Sequence, residues 1–398
     1  MNVIDRAEPA AIYNLLLYIL DKETAKEGAT LSQTLQTLTD KDLAPLDPKT
    51  RTQFTARLNI VQQAFANHPD LNDTMITAFV TDYNNKKGGM KSCVLTDPAG
   101  TVHIIFAGTG AGEWIDNGEG LSGVPEYNLY AKYDKKGHLL YTTPAPNDYA
   151  TDQQVEALNW FNKLCAQNSL SAPIIVSGHS KGGNKAQFVT INSPLVTECY
   201  SFDGQGFSPE ALEMFKSRFP DYKASRDRIY SLSADNDYVN VLGERLAPAN
   251  NVFFLRSSDV HGDPFAYHYM ETLLDSQGNL NPIAPQDEIS RYIQNLSETI
   301  MSMPPNERQP ITLSIMSVFQ HLLGSGAVPV NNDYVSDSET VKGVITALAP
   351  TVTSLLFTKD GNEAAAEIAK LYREKLGSAV HRRTAELLSN IFEKLKAL

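Results

Sequence analysis

One stretch constrains this chain more than any other: residues 172–187, APIIVSGHSKGGNKAQ. A short apolar run at 174–176 stops at Gly178-His179-Ser180-Lys181-Gly182-Gly183, and a helical pattern follows over 183–191. A buried strand that turns at once into a helix leaves little space for side chains at the turn. Glycines two before and two after a serine remove the Cβ atoms that would collide there. In such a strained turn the serine Oγ is lifted clear of the sheet, and the backbone N–H of Lys181 opens the next helix. The same glycines can also make a turn with no chemical role. The strand before the motif and the helix after it favour the chemical reading.

Two nucleotide-binding readings fail nearby. A phosphate-binding loop starting at Gly178 needs a lysine at 184, where the chain has Asn184. In GTGAGE, residues 108–113, Glu113 stands where a dinucleotide fingerprint needs its last glycine. No cofactor is expected from either segment.

Around the motif, strand and helix patterns alternate. MITAFVTD, MKSCVLTD, TVHIIFAG, CYSFDG, RIYSLSA and NVFFLR read as strands. Residues 152–166 and the segment SPEALEMFKSRF read as helices, the latter with Ser208 as N-cap and Pro209 in its first turn. This alternation predicts an α/β fold with a mostly parallel sheet flanked by helices. Three regions are expected: an N-terminal helical segment over 1–72, an α/β core over 73–275 and a C-terminal helical region over 276–398. The last can be a lid, an interaction module or plain packing.

The chain has 398 residues, 42% hydrophobic and 20% charged, enough for a large core. Its net charge of −12 argues against a nucleic-acid partner, because phosphate binding needs clustered Lys and Arg. Cys93, Cys165 and Cys199 offer no disulfide framework and no paired metal-ligand spacing. No apolar stretch is long enough to span a bilayer. Residues 347–357 are apolar enough to cover a site or touch a lipid surface. No signal peptide is evident, so a cytoplasmic location is expected, with signal-less secretion left open. Oligomeric state is not readable.

A serine nucleophile needs a base and an orienting acid, which follow it in the order acid, then histidine, on a sheet of this kind. SADNDYVNVLG supplies Asp235 and Asp237 just beyond a strand. Four histidines follow: His261, His268, His321 and His381. The last two fall in the C-terminal helical patterns. His261 sits in a turn-rich loop after the 251–256 strand and is the favoured base, with His268 the alternative. His179, inside the turn, points the wrong way for a base and is expected to pack beside the serine. The loop after the 102–106 strand offers Thr109 as an oxyanion donor, through a backbone N–H and a hydroxyl, beside the N–H of Lys181.

With those residues in view, the sequence resembles the lipase-like α/β-hydrolases. It looks most like class 3 lipases and a related group of uncharacterised bacterial lipase-like proteins. IIFAGTGAGEWIDN, IIVSGHSKGGNKAQ, SFDGQGFSPEAL, SADNDYVNVLG and HGDPFAY run in family order over about residues 75–275. Ala107 replaces the arginine of the usual R-G-[ST] strand end, Gly262 interrupts an H-D-P-like motif after His261, and Lys181 stands where lipases usually carry an apolar residue or Gln. The resemblance implies an α/β-hydrolase-type fold with Ser180 as nucleophile, Asp237 as acid in preference to Asp235, His261 as base, and Thr109 with Lys181 at the oxyanion. It implies a serine esterase acting on a lipid-like or small acyl ester. A thioesterase or amidase on the same triad, and a non-catalytic scaffold binding a partner through its C-terminal helices, are the alternatives.

Overall fold

The computed structural model describes residues 2–82, 90–110, 114–124, 149–168, 173–219, 221–258, 264–309, 312, 313 and 316. The chain divides into two compact units, Met1–Asn332 and Asp333–Leu398, the second wholly outside the described residues. The apolar stretch at 347–357 therefore lies outside them too, as do His321 and His381.

Three helices come first: α1 (Val3–Ile19), α2 (Leu31–Thr39) and α3 (Pro48–Asn67). Each has a sequence-encoded start. Asn2 and Thr30 make capping boxes with Asp5 and Gln33, and Asp47 caps α3 ahead of Pro48. The strands follow: β1 (Met75–Asp82), β2 (Met90–Thr96), β3 (Val102–Phe106), β4 (Ile174–His179), β5 (Val196–Phe202), β6 (Ile229–Ala234) and β7 (Val252–Leu255). They form one seven-stranded sheet in strict chain order, antiparallel from β1 to β3 and parallel from β3 to β7. Helices α4 (Trp114–Ser122) and α5 (Asp152–Asn168) lie between β3 and β4 in the chain, and α6 (Lys181–Asn192) between β4 and β5. Helices α7 (Pro209–Arg218) and α8 (Tyr222–Asp227) separate β5 from β6, and α9 (Glu288–Met301) comes after the sheet. The α/β expectation holds at this level: a mostly parallel sheet with helices on both faces.

The two faces are covered differently. On one, Val155, Phe161, Val189, Ile191 and Phe215 of α5, α6 and α7 pack on Val94, Ile104, Val176 and Cys199. On the other, Ala11, Leu15 and Ile19 of α1 and Leu58, Val61 and Phe65 of α3 share a cluster with Cys93, Ile105, Phe202 and Leu232. Cys93 and Cys199 are buried free thiols whose pKa burial pushes up to about 12, and Cys165 is free as well. No helix among the described residues is long and apolar enough to cross a membrane.

Candidate active site

The parallel strands end together, and the site is built on those ends. Ser180 closes β4 with φ 60° and ψ −128°, a left-handed conformation costly for a residue with a Cβ. The glycines around it are there for space. A Cβ on Gly178 would lie 2.1 Å from the Gly182 carbonyl carbon, and one on Gly182 would lie 2.0 Å from Phe106 O. The backbone N–H of Ser180 still bonds to Phe202 O of β5 (2.9 Å), so the sheet fixes the turn on one side.

Ser180 Oγ lies 2.8 Å from His268 Nε2, and His268 Nδ1 lies 2.7 Å from Asp237 Oδ1. Asp237 is fully buried just beyond β6, and its second oxygen accepts the backbone N–H groups of Val239 (3.1 Å) and Asn240 (2.7 Å). A carboxylate held this way accepts the Nδ1 proton of the imidazole. Nε2 is then left as the acceptor for the Ser180 hydroxyl. His268 ends the short 3-10 turn Pro264–His268 that follows β7.

The sequence reading favoured His261 as base. His261 lies outside the described residues, and His268, its alternative, is the histidine that joins Ser180 to Asp237. Both histidines sit in the connection after the last strand, and the turn-rich setting that favoured His261 says nothing of which ring reaches Ser180. The reach of a side chain over the strand ends decides. Asp235 is occupied elsewhere: its Oδ1 accepts the Ser257 N–H (3.0 Å) and hydroxyl (2.8 Å), fastening the β6 end to the β7 end. Thr109 stands on the loop after β3, and its Oγ1 accepts a hydrogen bond from Asn117 Nδ2 of α4 (2.9 Å). A hydroxyl that accepts this bond has one O–H of its own to donate. Lys181 is the first residue of α6, so its N–H has no partner within its own helix. Its side chain is buried against Asp116 of α4, with Nζ 2.6 Å from Oδ1.

Three residues of the site were not found from the sequence. Tyr18, one turn after Asn14 on α1, places its hydroxyl 2.6 Å from His179 Nδ1 and accepts the Gly108 backbone N–H. Asn14 donates to Ser177 Oγ of β4 (2.9 Å). A polar residue inside the apolar run AAIYNLLLYIL is the one signal that α1 faces a polar site. Asp203, at the end of β5, is fully buried with φ 45°, and its Oδ2 lies 3.8 Å from His179 Nε2. His179 packs beside Ser180 as expected, its ring 4.8 Å from that of His268. Burial, with the nearby His268 and Arg57, holds the His179 pKa well below its ordinary range and keeps the ring neutral.

Donor atoms of His179, Asp203 and His268 fall within 4.8 Å of one another. Both nitrogens of His268 are engaged by Ser180 and Asp237, and His179 Nδ1 is engaged by Tyr18.

In this arrangement a strained serine after β4 meets an imidazole that a buried carboxylate beyond β6 holds on its other side, a geometry in which a hydroxyl can pass its proton to the ring. The Mbeg1-like family, a lipase-like family, matches residues 148–252, a span that contains Ser180 and Asp237 but stops before His268. The match relates this part of the chain to lipase-like proteins. Among solved structures, the chain is similar to a Rhizomucor miehei lipase–propeptide complex, a deletion mutant. That likeness is 13% identical, covers 63% of this chain and 79% of that one, and has a TM-score of 0.27. None of the curated proteins matches the chain.

Proposed function

We propose that the protein is a serine hydrolase of α/β-hydrolase type that cleaves a carboxylic ester, lipid-like or a small acyl ester, through an acyl-enzyme. The observation that carries this reading is the unbroken line Ser180 Oγ, His268 Nε2, His268 Nδ1, Asp237 Oδ1, with contacts of 2.8 and 2.7 Å. Ser180 attacks the acyl carbonyl while His268 takes its proton. Asp237 holds the imidazole in the acceptor tautomer and stabilises the imidazolium that forms. The N–H of Lys181, with the N–H and hydroxyl of Thr109, receives the oxyanion. His268 then returns the proton to the leaving oxygen, and water repeats the sequence to release the acid.

The neutral state of His179 serves this cycle. A second positive ring 4.8 Å from His268 would oppose formation of the imidazolium.

Labelling with a fluorophosphonate probe tests the reading. The wild type should label and hydrolyse p-nitrophenyl butyrate, and Ser180→Ala should do neither. His268→Ala and Asp237→Asn should each lower kcat about 10⁴-fold. Undiminished labelling of Ser180→Ala would end the assignment. Full activity of His268→Ala would return the base to His261. Parallel kinetics on ester, thioester and amide substrates with one acyl group decide among the acyl-transfer chemistries.

A further inference from the structure

The residue after the nucleophile is the least lipase-like position of the motif, and its side chain has a specific partner. The side chains of Lys181 and Asp116 are both fully buried, and their charged atoms lie 2.6 Å apart. Asp116 belongs to α4, the helix that follows the Thr109 loop in the chain. Its neighbour Asn117 donates to Thr109 Oγ1. The second Asp116 oxygen accepts the backbone N–H of Gln153 at the start of α5 (3.1 Å), and Gln205 Nε2 donates to Asn117 O (2.9 Å). The helix approaches the ammonium closely: a Cβ on Gly120 would lie 3.2 Å from Thr151 Cγ2 and 3.6 Å from Lys181 Nζ.

A buried ion pair is a poor device for stability alone, because desolvation of both charges offsets most of their attraction. Apolar side chains at both 181 and 116 would fill the same space without that cost. The two charged atoms meet without hydrogen-bond geometry, so what the pair adds is a close buried contact that ties α4, with Asn117 and its bond to the Thr109 hydroxyl, to the start of α6.

We infer that Lys181 is a positioning residue: its ammonium latches α4 through Asp116, so that the Thr109 oxyanion donor stands in place before substrate binds. The backbone of Lys181 supplies one donor and its side chain secures the other. The inference rests on the hydrolase reading above.

The test compares wild type, Lys181→Met, Asp116→Leu and the double variant, by kcat and KM on p-nitrophenyl butyrate, fluorophosphonate labelling rate and thermal melting. Each single variant leaves one buried charge unpaired and should lower kcat and the labelling rate about 10²–10³-fold, the usual effect of losing one oxyanion donor. KM should stay within about threefold, since the contact acts in the transition state. The double variant should melt above either single variant, because an apolar pair leaves no unpaired charge, and below the wild type by no more than the lost Gln153 N–H bond. It should not regain kcat. A double variant with wild-type kcat would reduce the pair to a spacer, and single variants with undiminished kcat would end the latch alone. A wild type that neither labels nor hydrolyses would end the hydrolase reading and the latch with it.

Discussion

Asp203 is the side chain most at odds with its surroundings. It is fully buried in a left-handed conformation. Its Oδ1 accepts the Ala234 N–H (2.8 Å), while Oδ2 has no hydrogen-bond partner among the described residues. Burial first, and the nearby Asp237 second, raise its pKa well above the ordinary carboxyl range. The folded state therefore keeps a proton that the unfolded chain releases above about pH 4. Stability from this group is present at low pH and is lost as pH rises. Asp203→Asn cannot ionise in either state and keeps the acceptor for Ala234. The variant should melt above the wild type at about pH 7–8, with the gap closing toward about pH 4. A gap constant with pH would assign the titration to another group. His179 works in the opposite sense. Its lowered folded pKa removes stability as pH falls below the ordinary histidine value, about 6.5.

Among the elements, α4 is the one whose placement matters most to the site, and it is held at both ends. Lys181 secures its first turn through Asp116, and Arg308 secures its last. Arg308 is fully buried, donates to Ser122 O (3.1 Å) and Met301 O (3.0 Å), and pairs with Glu210 of α7. One side chain thus joins the ends of α4 and α9 to the start of α7. Arg308→Met removes three sets of hydrogen bonds and leaves Glu210 and two carbonyls without their donor. A loss of about 3–5 kcal/mol is expected from urea unfolding, the range for breaking a buried pair. A loss under about 1 kcal/mol would place this residue among ordinary surface contacts.

At the scale of the whole molecule, the decisive fact is the strand order. Strands β3 to β7 add one after another in the same direction. Right-handed crossovers in an order that never reverses place every connecting helix on one face of the sheet. The core residues of α5, α6 and α7 lie together on that face. The other face is covered largely by α1 and α3, with Met270 and Leu273 beyond β7, in one cluster with Ile105, Phe202 and Leu232. The N-terminal helices are thus one layer of the same unit, not an appendage to it. Each large apolar side chain exposed by their loss costs about 1.5–3 kcal/mol, and several together exceed the ~5–15 kcal/mol that holds a typical domain folded. A chain lacking residues 1–72 should show no cooperative thermal transition. A truncated chain that melts cooperatively and still labels at Ser180 would show the sheet to be self-sufficient.

Local signals carried much of this. All seven strands are legible as apolar runs bounded by turn residues, because each strand is short and its punctuation lies in the chain itself. Ser180 is legible because its turn forces glycine at 178 and 182, where a Cβ would enter backbone atoms. Asp235 and Asp237 are legible together just beyond a strand end, and only the family resemblance preferred Asp237. The sequence reading ranked His268 below His261, whereas the structure sets His268 between Ser180 and Asp237. A histidine reaches the serine across 88 residues of chain, and its choice depends on where the loop after β7 falls in space. Tyr18, Asp116 and Asp203 were hidden for the same reason: each acts on a residue far from it in sequence. What the sequence determined alone was the strands, the longer helices and the glycine spacing around Ser180. Each is written in residues near one another in the chain, although the clash that demands Gly182 is with distant Phe106. Only the tertiary structure decided which histidine completes the line, which helices cover the second face and what Lys181 holds. Those outcomes depend on contacts between segments, and no local pattern encodes them.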